Sequence, residues 1–148
     1  MKCPIDRQPL EKSFYEGSID VDSCSTCNGV WLDKGELESI QKLRKNNYDL
    51  ELDERSLTSS HIKNTYQLGK KPADRELTCP SCQSTMIQKE YGYGSLIMID
   101  VCPNITCQGM WLDHGELKAL EIYYENSRRE QKKHEVTDFI SSLLALFR

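Results

Sequence analysis

The side chains that offer the most chemistry in this 148-residue sequence are its seven cysteines. Four of them form two close pairs in the second half of the chain, Cys79 with Cys82 and Cys102 with Cys107. A turn that carries two cysteines presents two thiolates from one short loop, and two such turns complete the tetrahedral set of four ligands typical of structural zinc. Nineteen residues separate the two pairs, which is close to the separation expected of a four-cysteine zinc site. The spacing therefore predicts one zinc ion held by these four thiolates.

The first half of the chain carries three cysteines in a similar arrangement. Cys24 and Cys27 form one pair, but Cys3 is followed three positions later by Asp6 and not by a second cysteine. Zinc accepts a carboxylate oxygen at about 2.0–2.2 Å, so we favour Asp6 as the fourth ligand because it stands at the ligand position. His61 or a water molecule in that place are the alternatives. Asp6 can also cap the turn through backbone N–H groups without touching a metal.

The two candidate sites lie in two copies of one sequence unit. The nine residues Gly29 to Leu37 match the nine residues Gly109 to Leu117 at seven positions, with an offset of 80. An internal repeat of this kind indicates two structurally similar units. We therefore divide the chain into a first ribbon with its helix at residues 1–46, a polar linker at 47–76, a second ribbon with a long helix at 77–134, and a C-terminal amphipathic helix at 135–148.

Local patterns predict the elements that position the cysteines. In the second copy, residues 86–91 and 96–101 are predicted as the strands of a hairpin, with a glycine-rich turn between them. In both copies an Asp and a Glu three residues apart predict a helix start with a capping box, and apolar residues follow at helical spacing. The tryptophan two residues before that Asp is expected to be buried over the metal knuckle, which is the short turn that carries a pair of ligands. The expected fold class is a small metal-stabilised α+β structure of two tandem zinc ribbons, each a β-hairpin with two metal knuckles followed by an α-helix, plus the C-terminal helix.

The size of each copy is a second reason to expect metal. A unit of about 40 residues buries too little apolar surface to offset its chain entropy. Structural zinc supplies about 10–16 kcal/mol of apparent binding free energy, which becomes free energy of folding. Removal of the metal is therefore expected to unfold each ribbon.

The C-terminal segment has an apolar helix face. Its members are Val136, Phe139, Ile140, Leu143, Leu144 and Phe147. Docking of this face onto the rest of the chain is the expected use, and self-association or a partner's groove are the alternatives. Binding to a membrane surface is less favoured, because basic residues do not line the polar face.

Composition and charge narrow the compartment and the class of partner. The formal net charge is −4, which is the opposite of what a general phosphate binder carries. No apolar stretch reaches the about 20 residues that span a bilayer, and the start of the chain lacks the apolar core of a secretory signal. We therefore expect a soluble, cytoplasmic protein. In a reducing compartment, an odd number of cysteines in tight pairs indicates metal and not disulfides.

These features together resemble a known family. The Cys-Pro start of each copy, the hairpin, the second knuckle and the segment Gly-x-Trp-Leu-Asp-x-Gly-Glu-Leu are similar to the transcription-factor-IIB-type zinc-ribbon domain, found mostly in small bacterial proteins. The resemblance covers Lys2 to about Ile40 and Thr78 to about Leu120, as two tandem copies. It implies zinc binding by the cysteines of both copies. Asp6 and the wider Cys102–Cys107 knuckle depart from the family pattern.

The expected function is a zinc-binding, non-catalytic interaction module that holds two zinc ions and binds another protein. The resemblance alone suggests the transcription machinery as a candidate partner. Residues 1–38 contain four Lys/Arg against eight Asp/Glu, which disfavours phosphate and suits a basic or apolar partner. Nucleic-acid binding through the basic patches 42–45 and 128–133 is the alternative. A hydrolytic enzyme with an open zinc site in the first copy is least favoured, since no base or pocket-forming sequence accompanies the cysteines.

Overall fold

The computed structural model describes residues 1–43, 75–92, 95 and 97–145, and of residues 133 and 138–145 it describes the backbone only. Within these ranges lie six strands and two helices. They are β1 (Glu11–Tyr15), β2 (Ile19–Ser23), β3 (Val30–Leu32), α1 (Glu36–Leu43), β4 (Ile87–Glu90), β5 (Met98–Val101), β6 (Met110–Leu112) and α2 (Glu116–Ala145). Each copy thus supplies three antiparallel strands followed by one helix, which confirms the predicted α+β class.

A single six-stranded antiparallel sheet runs through both copies, in the order β1-β2-β3-β6-β5-β4. The copies meet where β3 pairs with β6, and Trp31 lies directly opposite Trp111 in that pairing. The strand order reads the same from either end of the sheet once the equivalent strands are exchanged. The two repeats are therefore related by an approximate two-fold axis that passes near the two tryptophans.

The helices and the sheet share one apolar core. It is built from both copies and consists of Val21, Leu32, Leu37, Ile40, Ile97, Ile99, Leu112, Leu117, Ala119 and Leu120. Leu37 and Ile40 in α1, and Leu117 and Leu120 in α2, recur at helical spacing, whereas Leu43 at the end of α1 is exposed. Full burial of a Leu or Ile side chain contributes about 1.5–3 kcal/mol, so this shared core binds the copies together strongly.

One polar contact also joins each helix to the opposite copy. Gln41 of α1 donates a hydrogen bond from Nε2 to Tyr91 Oη at 2.8 Å. Tyr15 donates from its hydroxyl to Glu121 Oε2 of α2 at 2.5 Å. Gln41 and Glu121 are equivalent in the repeat, and so are the two tyrosines. Each helix therefore reaches the tyrosine at the hairpin turn of the other copy.

Helix α2 is continuous from Glu116 to Ala145, through residues 134 and 135, where the sequence analysis began a separate segment. Val136 is exposed. The other residues of the predicted apolar face lie outside the described side chains, and the linker lies outside the described residues except at its last two positions. Among the described residues, no helix is long and apolar enough to cross a membrane.

Candidate metal centres

All four knuckles are built on the same kind of backbone turn. In the first, Arg7 donates its backbone N–H to the Cys3 carbonyl at 3.0 Å, and its φ is 64°. A positive φ is uncommon for a residue other than glycine. It recurs at the residue that follows the second ligand in the other knuckles, which are Asn28, Gln83 and Gln108. The knuckle with Asp6 therefore has the same backbone geometry as the knuckles with two cysteines.

The second copy brings its four cysteines into one cluster. Cys79 Sγ lies 3.7 Å from Cys107 Sγ, and Cys82 Sγ lies 3.3 Å from Cys102 Sγ. All four sulfur atoms lie within 4.8 Å of one another. A tetrahedral ion with Zn–S bonds of 2.3 Å requires sulfur–sulfur separations of about 3.8 Å. The cluster therefore has the size and the donor atoms of a four-thiolate zinc site.

The wider knuckle of the second copy keeps its ligands in place because the extra residues lie ahead of the turn. The Asn104 carbonyl accepts hydrogen bonds from the backbone N–H groups of Cys107 and Gln108, both at 3.0 Å. The Asn104 side chain accepts a further bond from the backbone N–H of Thr106 at 3.0 Å, as short polar side chains often do in turns. Cys102 still donates its N–H to the Gly109 carbonyl at 2.9 Å. The insertion thus leaves both sulfur atoms within reach of one ion.

The first copy assembles three sulfurs and one carboxylate. Cys3 Sγ lies 3.6 Å from Cys27 Sγ, and Asp6 Oδ2 lies 3.2 Å from Cys24 Sγ. One ligand atom from each of the four residues fits within 4.8 Å of the others. This donor set also fits zinc, which accepts carboxylate oxygen together with thiolate. His61 lies outside the described residues.

Asp6 also caps the turn, while both of its carboxylate oxygens lie near Cys24 Sγ, Oδ2 at 3.2 Å and Oδ1 at 3.5 Å. Its Oδ1 accepts the backbone N–H of Gln8 at 3.0 Å, and this bond is the main reason why the pKa of Asp6 is lowered. In the second copy, the hydrogen bonds of Cys82 with the hydroxyl of Ser84, at 3.3 Å, and then with its backbone are the main reasons why the pKa of the Cys82 thiol is lowered to about 6. Gln8 and Ser84 are equivalent in the repeat. Asp6 therefore takes over the position of Cys82 and its hydrogen bonding with the turn, and Oδ2 is the oxygen that lies nearer to Cys24 Sγ.

One buried thiol of each cluster is held neutral when no metal is bound. Burial raises the pKa of Cys3 and of Cys79 to about 12, so both are neutral near pH 7 without a metal. A divalent cation compensates the burial of several thiolates, and metal binding then releases protons. None of the seven cysteines, all of which lie in the described residues, forms a disulfide. The clusters thus have the chemistry expected of metal sites.

The tryptophans are buried between the two clusters. Trp31 and Trp111 are both fully buried, in one apolar cluster that includes cysteines of both copies. Each indole donates its N–H at 2.9 Å to the Asp two residues later, which is Asp33 or Asp113. The prediction that the tryptophans serve the core is confirmed.

The predicted capping box is confirmed for its glutamate. Glu36 accepts the backbone N–H of Asp33, and Glu116 accepts that of Asp113. One carboxylate oxygen of each aspartate accepts the indole N–H instead.

One charged group that pairs with aspartates of the second copy was not predicted. Arg75 Nη2 lies 2.9 Å from Asp100 Oδ2 and 3.0 Å from Asp113 Oδ2. In the first copy, the buried Asp22 pairs instead with Lys12, which lies opposite it on β1 at 2.8 Å. One feature of the sequence does indicate that the second copy lacks the local cation partner of its strand aspartate. The repeat places Gln88 at the position of Lys12, so the strand aspartate of the second copy needs a cation from elsewhere.

Comparison with known proteins agrees with the site geometry. A family model described as a transcription factor zinc-finger, of the TFIIB zinc-ribbon type, matches residues 2–42 and 78–121. These two matches cover more than half of the sequence and coincide with the two copies. No curated protein and no solved structure gives a significant match. The family match confirms the resemblance, and together with the two clusters it confirms the prediction of two zinc ions as cofactors.

Proposed function

Because the chain belongs to the transcription factor zinc-finger family of the TFIIB zinc-ribbon type, we propose that it is a non-catalytic interaction module that presents a protein-binding surface assembled by two zinc ions. In this proposal Cys3, Asp6, Cys24 and Cys27 hold one ion, and Cys79, Cys82, Cys102 and Cys107 hold the other. Each bound ion would supply cross-links between two knuckles and free energy of folding.

The observation that carries the proposal is the closed donor set of both clusters. Structural zinc sites have four protein ligands, whereas catalytic sites leave a position for water or substrate. Each cluster offers four ligand atoms within 4.8 Å of one another. In the first copy, the proposed fourth donor is Asp6, whose Oδ2 lies 3.2 Å from Cys24 Sγ. A closed site in both copies supports a structural use of the metal.

A protein partner is supported by the charge and the exposed apolar groups of the described surface. The two copies carry more acidic than basic side chains, which repels nucleic-acid phosphate and suits a basic or apolar partner. Phe14 on the edge strand β1 and Ile105 in the wide knuckle are the most exposed large apolar side chains described. The family description points to a transcription assembly as the candidate partner.

The metal part of the proposal is tested by analysis of the untreated protein. We expect two zinc ions per chain, and X-ray absorption should find mostly sulfur with a minor share of oxygen around zinc. Chelation should abolish the circular dichroism of the folded chain. A well-folded protein without zinc would contradict the proposal.

The interaction part is tested with two variants of one knuckle. Cys82→Ala removes a proposed ligand, whereas Ser81→Ala alters the neighbouring exposed side chain and keeps all ligands. Proteins captured from the native cell by the wild type and by Ser81→Ala, but lost with Cys82→Ala, would identify zinc-dependent partners. Identical capture by a Cys82→Ala protein that has lost zinc would contradict the module hypothesis.

Nucleic-acid binding is distinguished by its salt dependence. A protein that neutralises phosphates loses affinity steeply as salt rises. We expect no shift of DNA or RNA even in low salt. A shift that disappears with increasing salt would favour the nucleic-acid alternative over a protein partner.

A further inference from the structure

Each tryptophan lies against a glycine of the other copy. A Cβ atom built on Gly109 would lie 2.1 Å from Cζ2 of Trp31, and one built on Gly29 would lie 2.2 Å from Cζ2 of Trp111. Real Cβ atoms essentially never approach so closely. Both glycines are therefore required by close packing of the indole on the backbone, and the contact is reciprocal across the β3–β6 pair.

The same glycines are hydrogen-bonded to proposed metal ligands. The Gly29 carbonyl accepts the backbone N–H of Cys24 at 2.9 Å, and the Gly109 carbonyl accepts that of Cys102 at 2.9 Å. Trp111 thus touches the residue that fixes the second knuckle of the first copy. Trp31 does the same for the second knuckle of the second copy. Only one residue lies between each indole and a ligand of the opposite metal site.

Each indole is also fixed within its own copy. Its N–H is bonded to the Asp just before the helix, and its strand follows directly after that copy's second knuckle. An indole can cover the opposite glycine only when its own strand and helix start are in place. Metal that orders one knuckle therefore orders the tryptophan that supports the other.

We propose that the two metal sites of this chain bind zinc cooperatively, with coupling carried by the reciprocal Trp31–Gly109 and Trp111–Gly29 contacts. This inference rests on the proposed function, since it requires that both clusters bind zinc. Its consequence is a module that is either fully assembled or not assembled, with few chains that carry one ion. The binding surface would then respond to zinc as a single switch.

Native mass spectrometry of the full chain, at a mean of one bound zinc ion per chain, tests the coupling directly. Two independent sites, equal or unequal, leave at least about half of the chains with one ion, whereas positive coupling lowers that share. We expect the singly loaded form to fall clearly below that value. A singly loaded share at or above it, with two ions at saturation, overturns the coupling only. Fewer than two ions at saturation contradicts the proposed function instead.

Two glycine variants of the first copy locate the coupling. Gly29→Ala places a methyl group into the Trp111 indole, whereas Gly17→Ala strains the β1–β2 turn, where φ is 74° and a Cβ meets nothing within 4 Å. Cobalt(II) is the probe, because a four-sulfur site and a three-sulfur, one-oxygen site give different spectra. With Gly29→Ala we expect the four-sulfur site of the second copy to lose about fivefold or more in affinity, the lower range of typical coupling.

Gly17→Ala should leave the cobalt affinity of the second copy as in the wild type. Equal losses in the two variants would contradict the assignment of the coupling to the tryptophan contact. Should Gly29→Ala fail to fold, the wild-type populations still decide whether the sites are coupled.

Discussion

Arg75→Met tests how the second copy tolerates its buried aspartate. The guanidinium lies 2.9 Å from Asp100 Oδ2 and 3.0 Å from Asp113 Oδ2, and the three side chains are 25%, 4% and 26% exposed respectively. Burial by itself would lower the pKa of Arg75, but the two carboxylates outweigh it and the pKa is raised. Loss of one partner from a buried ion pair costs about 3–5 kcal/mol, because the remaining charge is uncompensated. With partial solvent contact, we expect the free energy of unfolding to fall by about 2–3 kcal/mol.

The first copy provides a matched control in Lys12→Met. Lys12 pairs with the equivalent Asp22 at 2.8 Å, and the Asp22 side chain is only 7% exposed, but the lysine side chain is 64% exposed. Its removal opens the carboxylate to water, which replaces the lost ion pair. Solvent weakens an ion pair whose cation is exposed, toward the about 1 kcal/mol or less of a surface pair, so the lysine variant should lose clearly less stability than the arginine variant.

Urea unfolding at a fixed free zinc concentration measures this difference, since the metal contribution is then the same for every variant. The double variant Arg75→Met/Asp100→Asn should regain part of the loss, because a neutral amide no longer needs a cation. Equal midpoints for Arg75→Met and Lys12→Met would refute the reasoning that the exposure of the cation decides whether water can replace it. No recovery in the double variant would refute the reasoning that the charge of Asp100 causes the loss.

Three further predictions concern the metal ligands and the contacts between copies. Asp6→Asn keeps the acceptor for the backbone but loses the anionic ligand, so its zinc affinity, measured in competition with a chelator, should fall about tenfold or more, the lower end of what loss of a supporting group alone costs. Asp6→Cys should not weaken zinc binding. An unchanged zinc affinity in the Asn variant would exclude the ligand role of Asp6. Zinc affinity should fall as pH falls, because the zinc-bound thiolates are held deprotonated below the unfolded thiol pKa of about 8.5. Burial raises the pKa of Cys3 and Cys79 to about 12 in the metal-free protein, so calorimetry in buffers of different ionisation enthalpy should detect protons that zinc binding releases. Zinc binding without proton release would contradict the assignment of thiolate ligands. Tyr15→Phe should lower the free energy of unfolding by about 1.5–3 kcal/mol, because the tyrosine's acceptor is a buried carboxylate. Tyr91→Phe should lower it by about 0.5–1.5 kcal/mol, because its partner is an amide. A larger loss of thermal stability in Tyr91→Phe than in Tyr15→Phe would argue against a charged acceptor.

The features that the sequence predicts best are those set by local spacing. The cysteine pairs, the place of Asp6, the helix starts and the buried tryptophans depend on residues a few positions apart, and the repeat reinforces each of them. Local spacing does not predict whether the wider Cys102–Cys107 knuckle keeps both sulfur atoms within reach of one ion. This depends on the turn at Asn104, which accommodates the insertion through hydrogen bonds to one side chain and one carbonyl.

The features that could not be predicted depend on contacts between distant parts of the chain. Strands β3 and β6 have three residues each, and such short segments do not specify a pairing partner through their pattern. The pairing is instead favoured by what lies on either side of it, the shared helix core and the exchanged indoles. Arg75 was missed for the same reason, since its two carboxylates lie 25 and 38 positions away.

The exchange of tryptophans also explains how so short a repeat can bury so large a side chain. A copy of about 40 residues lacks the apolar volume to surround an indole by itself. A glycine of the opposite copy offers bare backbone at the one place where the ring needs a cover, and the two-fold arrangement lets each copy provide that cover once. The cost is that neither indole is covered without the other copy. Zinc closes each knuckle, but the interior that the knuckles enclose belongs to the pair, so the unit that folds is the whole six-stranded sheet and not the single ribbon.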